Sequence, residues 1–232
     1  MKQITRTLLL GIPSVLILAS STTAVGSLIF NGGFDAPDVS GRFVTFNTAP
    51  AGFGWTITSD GTTDPRPTTG IIGVDVVNSE WVGIGGTVNP DGLDQSLDID
   101  GSSSISQTFS TVVGLEYALR FHYSHNFNAL SSLGSVIVEG TAVLISEALL
   151  HDTQNSPSDM QWDLFSSTFV ADSDVTNLTI QGDARNSVAG FVVDNVNVHV
   201  SKAPAVPEPG VVWLLSSGAL GLIGMARRKK AA

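Results

Sequence analysis

The sequence predicts an all-β fold, a jelly-roll β-sandwich, for residues 25–201 of the 232-residue chain. Residues 25–205 contain no convincing amphipathic helical run. About ten short stretches rich in β-branched and aromatic residues alternate instead with clusters of Gly, Asn, Asp, Ser and Pro. A period-2 pattern between Leu115 and Tyr123 places every second side chain on one face of a strand. So many strands with turns between them suit two packed antiparallel sheets.

The chain begins with the features of an export signal. Lys2 and Arg6 precede an apolar stretch, and small residues follow as far as Ala24. The apolar stretch is too short to cross a bilayer, which is typical of a secretory signal and not of an anchor. We therefore expect a signal peptide over residues 1–24, removed by signal peptidase, and an exported protein.

The predicted strands follow in order through the body. The clearest is 115–123, where apolar and aromatic residues alternate with polar ones. The segment 145–151 also has weak helical character, because Glu, Ala and Leu cluster there. Turns are expected at the Asp-Gly pairs 60–61, 91–92 and 100–101, because this pair tolerates positive φ. The other strands are expected at 28–30, 53–58, 74–77, 95–99, 104–109, 135–138, 142–145, 162–170, 175–181 and 191–200.

The C-terminal segment has three parts. A linker, residues 202–210, contains Pro207, Glu208 and Pro209, and the sixteen residues that follow carry no charge. As a helix they would rise about 24 Å, slightly less than a hydrocarbon core of about 30 Å. We expect a transmembrane helix over 211–226, and the positive-inside rule places the basic tail, 227–232, in the cytoplasm.

This order of parts, a Pro-Glu-Pro motif followed by a short apolar helix and a basic cluster, resembles the PEP-CTERM sorting signal. The resemblance implies that the chain is a substrate of exosortase, a membrane protease-transpeptidase that cuts near Pro-Glu-Pro and passes the protein to the surface of a Gram-negative bacterium. Until that processing, the helix would hold the protein in the membrane. A permanent single-span anchor is the alternative, and both place the body outside the cell.

Composition excludes several functional classes. The chain has no Cys, which removes disulfide scaffolds and thiol catalysis, and its formal net charge is −10. The mean hydropathy of +0.24 comes in large part from the two ends. Without the targeting segments, residues 25–206 carry 5 basic and 20 acidic side chains, a net charge of −15. A body with this negative charge disfavours the binding of nucleic acid and favours the binding of cations.

Motifs in the body carry a second resemblance. The mature chain opens on Asn31-Gly32-Gly33-Phe34-Asp35, followed by Gly54-Trp55, and it ends on Val193-Asp194-Asn195-Val196. In this order the motifs resemble galactose-binding-like jelly-roll domains, in particular bacterial choice-of-anchor proteins, whose domains are similar to a plant cell-wall family. The pattern departs at Asp35, where Glu is usual.

The galactose-binding-like resemblance implies a structural calcium ion that joins the loop after the first strand to the last strand. Asp35 and Asp194 occupy the matching positions. Carboxylate oxygens are the ligands that calcium prefers, and a protein outside the cell meets the ion at concentrations that fill weak sites. Asp194 alternatively caps a turn.

Polar residues at the end of the 115–123 strand are the candidate ligand site. Arg120, His122, His125 and Asn126 could bond sugar hydroxyls, whereas no carboxylate completes a zinc site with the two histidines. On a continuous strand, His122 and His125 face opposite sides. Hydrolase and phosphate-binding motifs are absent from the sequence, so we expect no enzyme.

These observations predict a non-catalytic carbohydrate-binding module, stabilised by calcium. It would be sorted by exosortase to the cell envelope, cell surface or extracellular matrix, where it would contact exopolysaccharide in a biofilm. A structural matrix protein with no specific ligand is the main alternative, and a glycan-active enzyme is the more distant one.

Overall fold

The computed structural model describes residues 26–63, 70, 72–78 and 95–202. The predicted signal peptide, transmembrane helix and basic tail lie outside the described residues, as do the Asp91-Gly92 turn and the linker after residue 202. Among the described residues, no helix has the length and apolar character needed to cross a membrane.

Eleven strands in the described residues form two antiparallel sheets, which confirms the predicted all-β sandwich. The six-stranded sheet has the order β1-β3-β4-β11-β6-β9, with strands β1 Phe43–Phe46, β3 Val74–Asn78, β4 Gln95–Ile99, β11 Phe191–Lys202, β6 Glu116–His125 and β9 Asp163–Val170. The five-stranded sheet has the order β2-β5-β10-β7-β8, with strands β2 Thr56–Thr58, β5 Ser104–Ser110, β10 Val175–Gly182, β7 Ser132–Glu139 and β8 Val143–His151. A short 3-10 turn, Ala184–Asn186, precedes β11.

The core lies between the two sheets and follows the period-2 pattern. On β6, the side chains of Tyr117, Leu119 and Phe121 are buried against the other sheet, whereas Arg120 is exposed on the opposite face. Each such apolar side chain removed from water contributes about 1.5–3 kcal/mol. We call the solvent side of the six-stranded sheet the outer face.

A cluster of aromatic rings closes one part of this core. Trp55 packs against Phe34 with ring centroids 5.8 Å apart, and Phe34 also contacts Phe53. The indole Nε1–H of Trp55 donates to the carbonyl oxygen of Asn31 at 3.0 Å, so the ring is buried with its polar atom satisfied. The Gly-Trp motif thus has a structural use in the core.

Two local predictions are wrong, and one strand was not predicted. Residues 28–30 form no strand, because the side chain of Gln107 hydrogen-bonds to both main-chain polar groups of Phe30. Phe30 N donates to Gln107 Oε1 at 2.8 Å, and Gln107 Nε2 donates to Phe30 O at 3.0 Å. The segment 145–151 is not a helix but most of β8, since pairing with β7 overrides its local propensity. Strand β1 was not predicted, because it has four residues and, among the described strands, pairs with β3 alone.

Candidate ligand-binding sites

A β-bulge in β11 shapes the outer face. Asp194 pairs with His122, but Asn197 pairs with Arg120, so β11 holds one extra residue at this point. Asn195 has a φ of +54°, and the bulge is held from the side because Val196 N donates to Gly32 O at 2.9 Å. The bulge therefore reverses which side chains of β11 face solvent.

That reversal creates a cleft of about 300 Å³ on the outer face, here called the outer-face cleft. Three neighbouring strands build it, because side chains two residues apart share one face of a strand. Its lining residues are Arg120 and His122 of β6, Leu164 of β9, and Asn195, Asn197 and His199 of β11.

The outer-face cleft presents both donors and acceptors. His199 Nδ1 lies 2.8 Å from Asn197 Oδ1, an atom that only accepts, so the imidazole donates through Nδ1 and keeps the Nε2 lone pair. Asn197 then keeps its two N–H donors. Arg120 adds five donors and has no ion-pair partner among the described residues. Leu164, 55% exposed, supplies an apolar contact. This combination suits a hydroxylated ligand.

The four predicted ligand residues do not form one site. Arg120 and His122 lie together in the outer-face cleft, but His125, at the end of the same strand, points to the opposite side as its spacing predicts. Asn126 is buried and donates from Nδ2 to Asp98 Oδ2 at 2.6 Å, while its Oδ1 accepts from Asn128 N. Asn126 thus has a structural use.

His125 lines a second cavity, here called the end cavity, of about 370 Å³ between the loop after β6 and the loop after β8. His125 Nδ1 and His151 Nδ1 are 2.6 Å apart, and both side chains are buried. Burial, and then the neighbouring His151, lower the pKa of His125 below its ordinary value, while Asp152 opposes the shift. His125 is therefore neutral at pH 7.

The two aspartates predicted to bind calcium lie in segments that touch. Asp194 is fully buried in β11, and its Oδ1 accepts from Asn195 N at 2.6 Å. Asp35 is half-buried in the loop before β1, and the bond from Val196 to Gly32 attaches that loop to the bulge.

Sequence reasoning missed a second group of carboxylates. Asp75 of β3, Asp98 of β4 and Asp100, which follows β4, are all buried, and one carboxylate oxygen of each lies within 4.8 Å of the others. Thr45 Oγ1 donates to Asp75 Oδ1 at 2.5 Å. Three hard oxygen donors could hold a divalent cation. The signal was present in the sequence as acidic residues inside otherwise apolar strands.

The polar residues of β11 also had a signal in the sequence. Phe191 and Val193 are apolar at odd positions, whereas Val196 and Val198 are apolar at even positions, and all four are buried. Such a change of parity indicates one extra residue in the strand, because a shift of one residue moves every side chain to the other face. Asn197 and His199 follow the change and reach the cleft.

Comparisons with known proteins give two matches to family models. A model described as "Protein of unknown function (DUF642)" matches residues 75–199, and the PEP-CTERM protein-sorting motif matches residues 205–230. The predicted sorting motif is thereby confirmed. The comparison with curated proteins finds no match.

Several solved structures have a similar chain path. TmCBM61, solved in complex with β-1,4-galactotriose, is 11% identical, with 75% of this chain and 99% of that chain covered and a TM-score of 0.49. The CBM22-1 xylan-binding domain of Xyn10C from Paenibacillus barcinonensis is 13% identical, with 70% and 94% covered and a TM-score of 0.41. At these values the likeness carries no inference about the ligand of this chain.

Proposed function

We propose that this chain, which belongs to the DUF642 family of proteins of unknown function, is an exported, non-catalytic surface protein. We propose further that it binds carbohydrate in the outer-face cleft. The observation that carries the proposal is the convergence of Arg120, Asn197 and His199 beside the exposed Leu164. Guanidinium and amide donors, an imidazole acceptor and an apolar contact match the alternating hydroxyl and C–H groups of a sugar ring.

The lining of the outer-face cleft also supports the absence of catalysis in this proposal. Glycoside hydrolysis by the common route requires two carboxyl groups on opposite sides of the scissile bond, about 5–9.5 Å apart. Among the described residues, those that line the cleft include no Asp or Glu. The described lining therefore supplies no pair of carboxyl groups of this kind, which supports the proposed non-catalytic role.

Binding of the full-length protein to a glycan array and to exopolysaccharide of the producing organism tests the proposal. Arg120→Ala should weaken glycan affinity by at least about tenfold, because a charged hydrogen bond contributes about 1.5–3 kcal/mol. Arg185→Ala is the matched control, since Arg185 is also exposed but pairs with Asp183 at 2.7 Å. Retention of no glycan by a folded protein would favour a structural matrix role.

The sorting motif supports a proposal about processing. We expect exosortase of a Gram-negative host to cleave the chain near Pro207, Glu208 and Pro209 and to release the body to the cell surface or extracellular matrix of a biofilm. Mass spectrometry of the surface protein should find no peptide ending at Ala232. An intact C-terminus on surface material would instead indicate a permanent anchor.

We also propose a structural calcium ion. Asp35 and Asp194 would hold it, and their carboxylates, together with main-chain carbonyls, are the hard oxygen donors that calcium requires. An ion bound only by the folded state raises stability. Calcium should therefore raise Tm relative to chelator by several degrees, and Asp194→Asn should abolish that difference. Asp183→Asn, which removes a carboxylate paired with Arg185 at the surface, should keep the difference in Tm. Equal Tm values of the unmodified protein with calcium and with chelator would contradict the proposal.

A further inference from the structure

The end cavity differs from the outer-face cleft in position and in chemistry. It lies where β6 ends at His125 and β8 ends at His151, and the loops that follow these strands form its walls. Its volume of about 370 Å³ falls within the range of small-molecule sites, about 300–1,000 Å³. A single sugar or a compound of that size would be accommodated.

The His125–His151 pair places an acceptor on the wall of the end cavity. His151 Nε2 lies 2.7 Å from the carbonyl oxygen of Gln161, which only accepts, so Nε2 carries the hydrogen. With its hydrogen on Nε2, His151 has its lone pair on Nδ1, and His125 donates to it from Nδ1. The remaining nitrogen of His125, Nε2, has no hydrogen bond among the described residues and is an acceptor.

Asn155 fixes part of the wall of the end cavity. Its Nδ2 donates to His125 O at 2.7 Å and Ser124 Oγ at 3.1 Å, so the orientation of the amide is set by its neighbours. Its Oδ1 is buried and accepts no hydrogen bond within the described part of the chain. Asn155 therefore ties the loop after β8 to the end of β6.

The charge of the end cavity is negative. Asp152 is the one formally charged side chain among the described residues that line it, and no Lys or Arg is among them. The body as a whole carries a net charge of −15. Phe127 and Leu130 add apolar surface, and Leu130 is 93% exposed. One neutral acceptor, one carboxylate and an aromatic ring together select a protonated amine on a compact, partly apolar body.

We propose that the end cavity is a second binding site, which takes a sugar with a free, protonated amino group, with Asp152 as its ion-pair partner and His125 Nε2 as an acceptor. The site does not depend on the outer-face cleft, which lies on the other side of β6. The cleft contains the cationic side chain of Arg120, whereas the end cavity contains the anionic side chain of Asp152. Loss of either site leaves the other intact.

Titration calorimetry of the full-length protein with glucosamine, N-acetylglucosamine and galactose tests the site. Glucosamine should bind, and N-acetylglucosamine and galactose should bind at least about tenfold more weakly, because neither has an ammonium group to pair with Asp152. Asp152→Asn should weaken glucosamine binding by about tenfold, and an increase in salt concentration should also weaken it.

Two variants test whether glucosamine binding depends on the end cavity. Asp174→Asn removes another exposed carboxylate, at the opposite end of the sandwich, and should leave glucosamine binding unchanged. Arg120→Ala should also leave it unchanged while glycan binding in the cleft falls. Equal binding of glucosamine and N-acetylglucosamine, equal losses in Asp152→Asn and Asp174→Asn, or no glucosamine binding at all would each overturn the proposal.

Discussion

The outer-face cleft and the end cavity share strand β6 but are built in different ways. The cleft is formed by three hydrogen-bonded strands, β9, β6 and β11, and its one formal charge among the described lining residues is the guanidinium of Arg120. The end cavity is formed by two loops and a pair of buried histidines, and its formal charge is the carboxylate of Asp152. Period-2 alternation sends Arg120 and His125 to opposite sides of β6.

The difference shows how one sandwich can keep two opposite chemistries apart. The outer-face cleft is positioned by the main-chain pairing of its strands, so its geometry depends on the strand register and on the bulge in β11. A site between loops is positioned by side-chain hydrogen bonds, such as those of Asn126 and Asn155. Substitutions that disturb one kind of support should therefore affect one site and spare the other.

The largest effect is expected at the support of the bulge. A Cβ atom at Gly32 would lie 2.0 Å from the carbonyl oxygen of Val196, a main-chain atom that cannot move without displacing the bulge. Gly32→Ala should therefore lower the free energy of unfolding by about 2–4 kcal/mol, as measured by urea denaturation. It should also weaken glycan binding in the cleft, because Asn195 and Asn197 lie on either side of Val196.

Gly26→Ala is the control, because a Cβ atom there meets no other atom within 4 Å. It should change stability by less than about 0.5 kcal/mol. Glucosamine binding in the end cavity should survive Gly32→Ala at temperatures where the protein stays folded. A parallel loss at both sites would show that the bulge supports the whole sandwich and not the cleft alone.

Much of the fold could be predicted because its strands follow local rules. The predicted bounds of β4, Gln95–Ile99, agree with the structure, since a clear strand is followed by an Asp-Gly turn in which Gly101 has a φ of +55°. Residues 28–30 and 145–151 were predicted wrongly because their structure depends on distant partners, the side chain of Gln107 and the strand β7. Local propensity carries no information about either.

The same distinction applies to the sites. Arg120 and His122 could be placed on one face from their spacing alone. The bulge that adds Asn197 and His199 is visible as a change of parity in β11, although the alternation on its two sides must be read separately. The pairing of His125 with His151 joins two sheets across 26 residues, and no spacing rule predicts it.

A smaller effect is expected where the end cavity is supported. Asn126 donates to the buried carboxylate of Asp98 and accepts from Asn128 N, so it holds the start of the loop that carries Phe127. Asn126→Ala removes a donor to a buried charge and should cost about 1.5–3 kcal/mol of unfolding free energy. Glucosamine binding should weaken while glycan binding in the cleft is retained.

Asn177→Ala is the matched control for Asn126→Ala. Asn177 lies on β10, and its Nδ2 donates to Thr179 Oγ1, a hydroxyl on the same strand that is only partly buried. The loss of that bond should cost less than about 1 kcal/mol and affect neither site. Equal costs for the two variants would contradict the assignment of Asn126 as a support for the loop.

The smallest effect is expected from pH, and it concerns the end cavity alone. The folded state holds His125 with a lowered pKa because of burial and of His151, whereas the unfolded chain titrates near 6.5. Below that pH the unfolded state takes up a proton that the folded state does not. Stability is therefore complete above about pH 6.5 and falls as pH drops from there to the folded pKa, by at most about 1.4 kcal/mol per pH unit.

This loss can be separated from acid denaturation that arises elsewhere. Hydrogen bonds from Thr62 and Ser102 lower the pKa of Asp60 to about 2, and Arg185 does the same for Asp183. Their stabilisation is present above about pH 4 and is lost as pH falls through about 2. The free energy of unfolding, measured by urea denaturation between pH 7 and pH 5, should therefore fall because of His125. His125→Gln should reduce the dependence of this free energy on pH over the same range. An unchanged slope in the variant would show that another group takes up the proton.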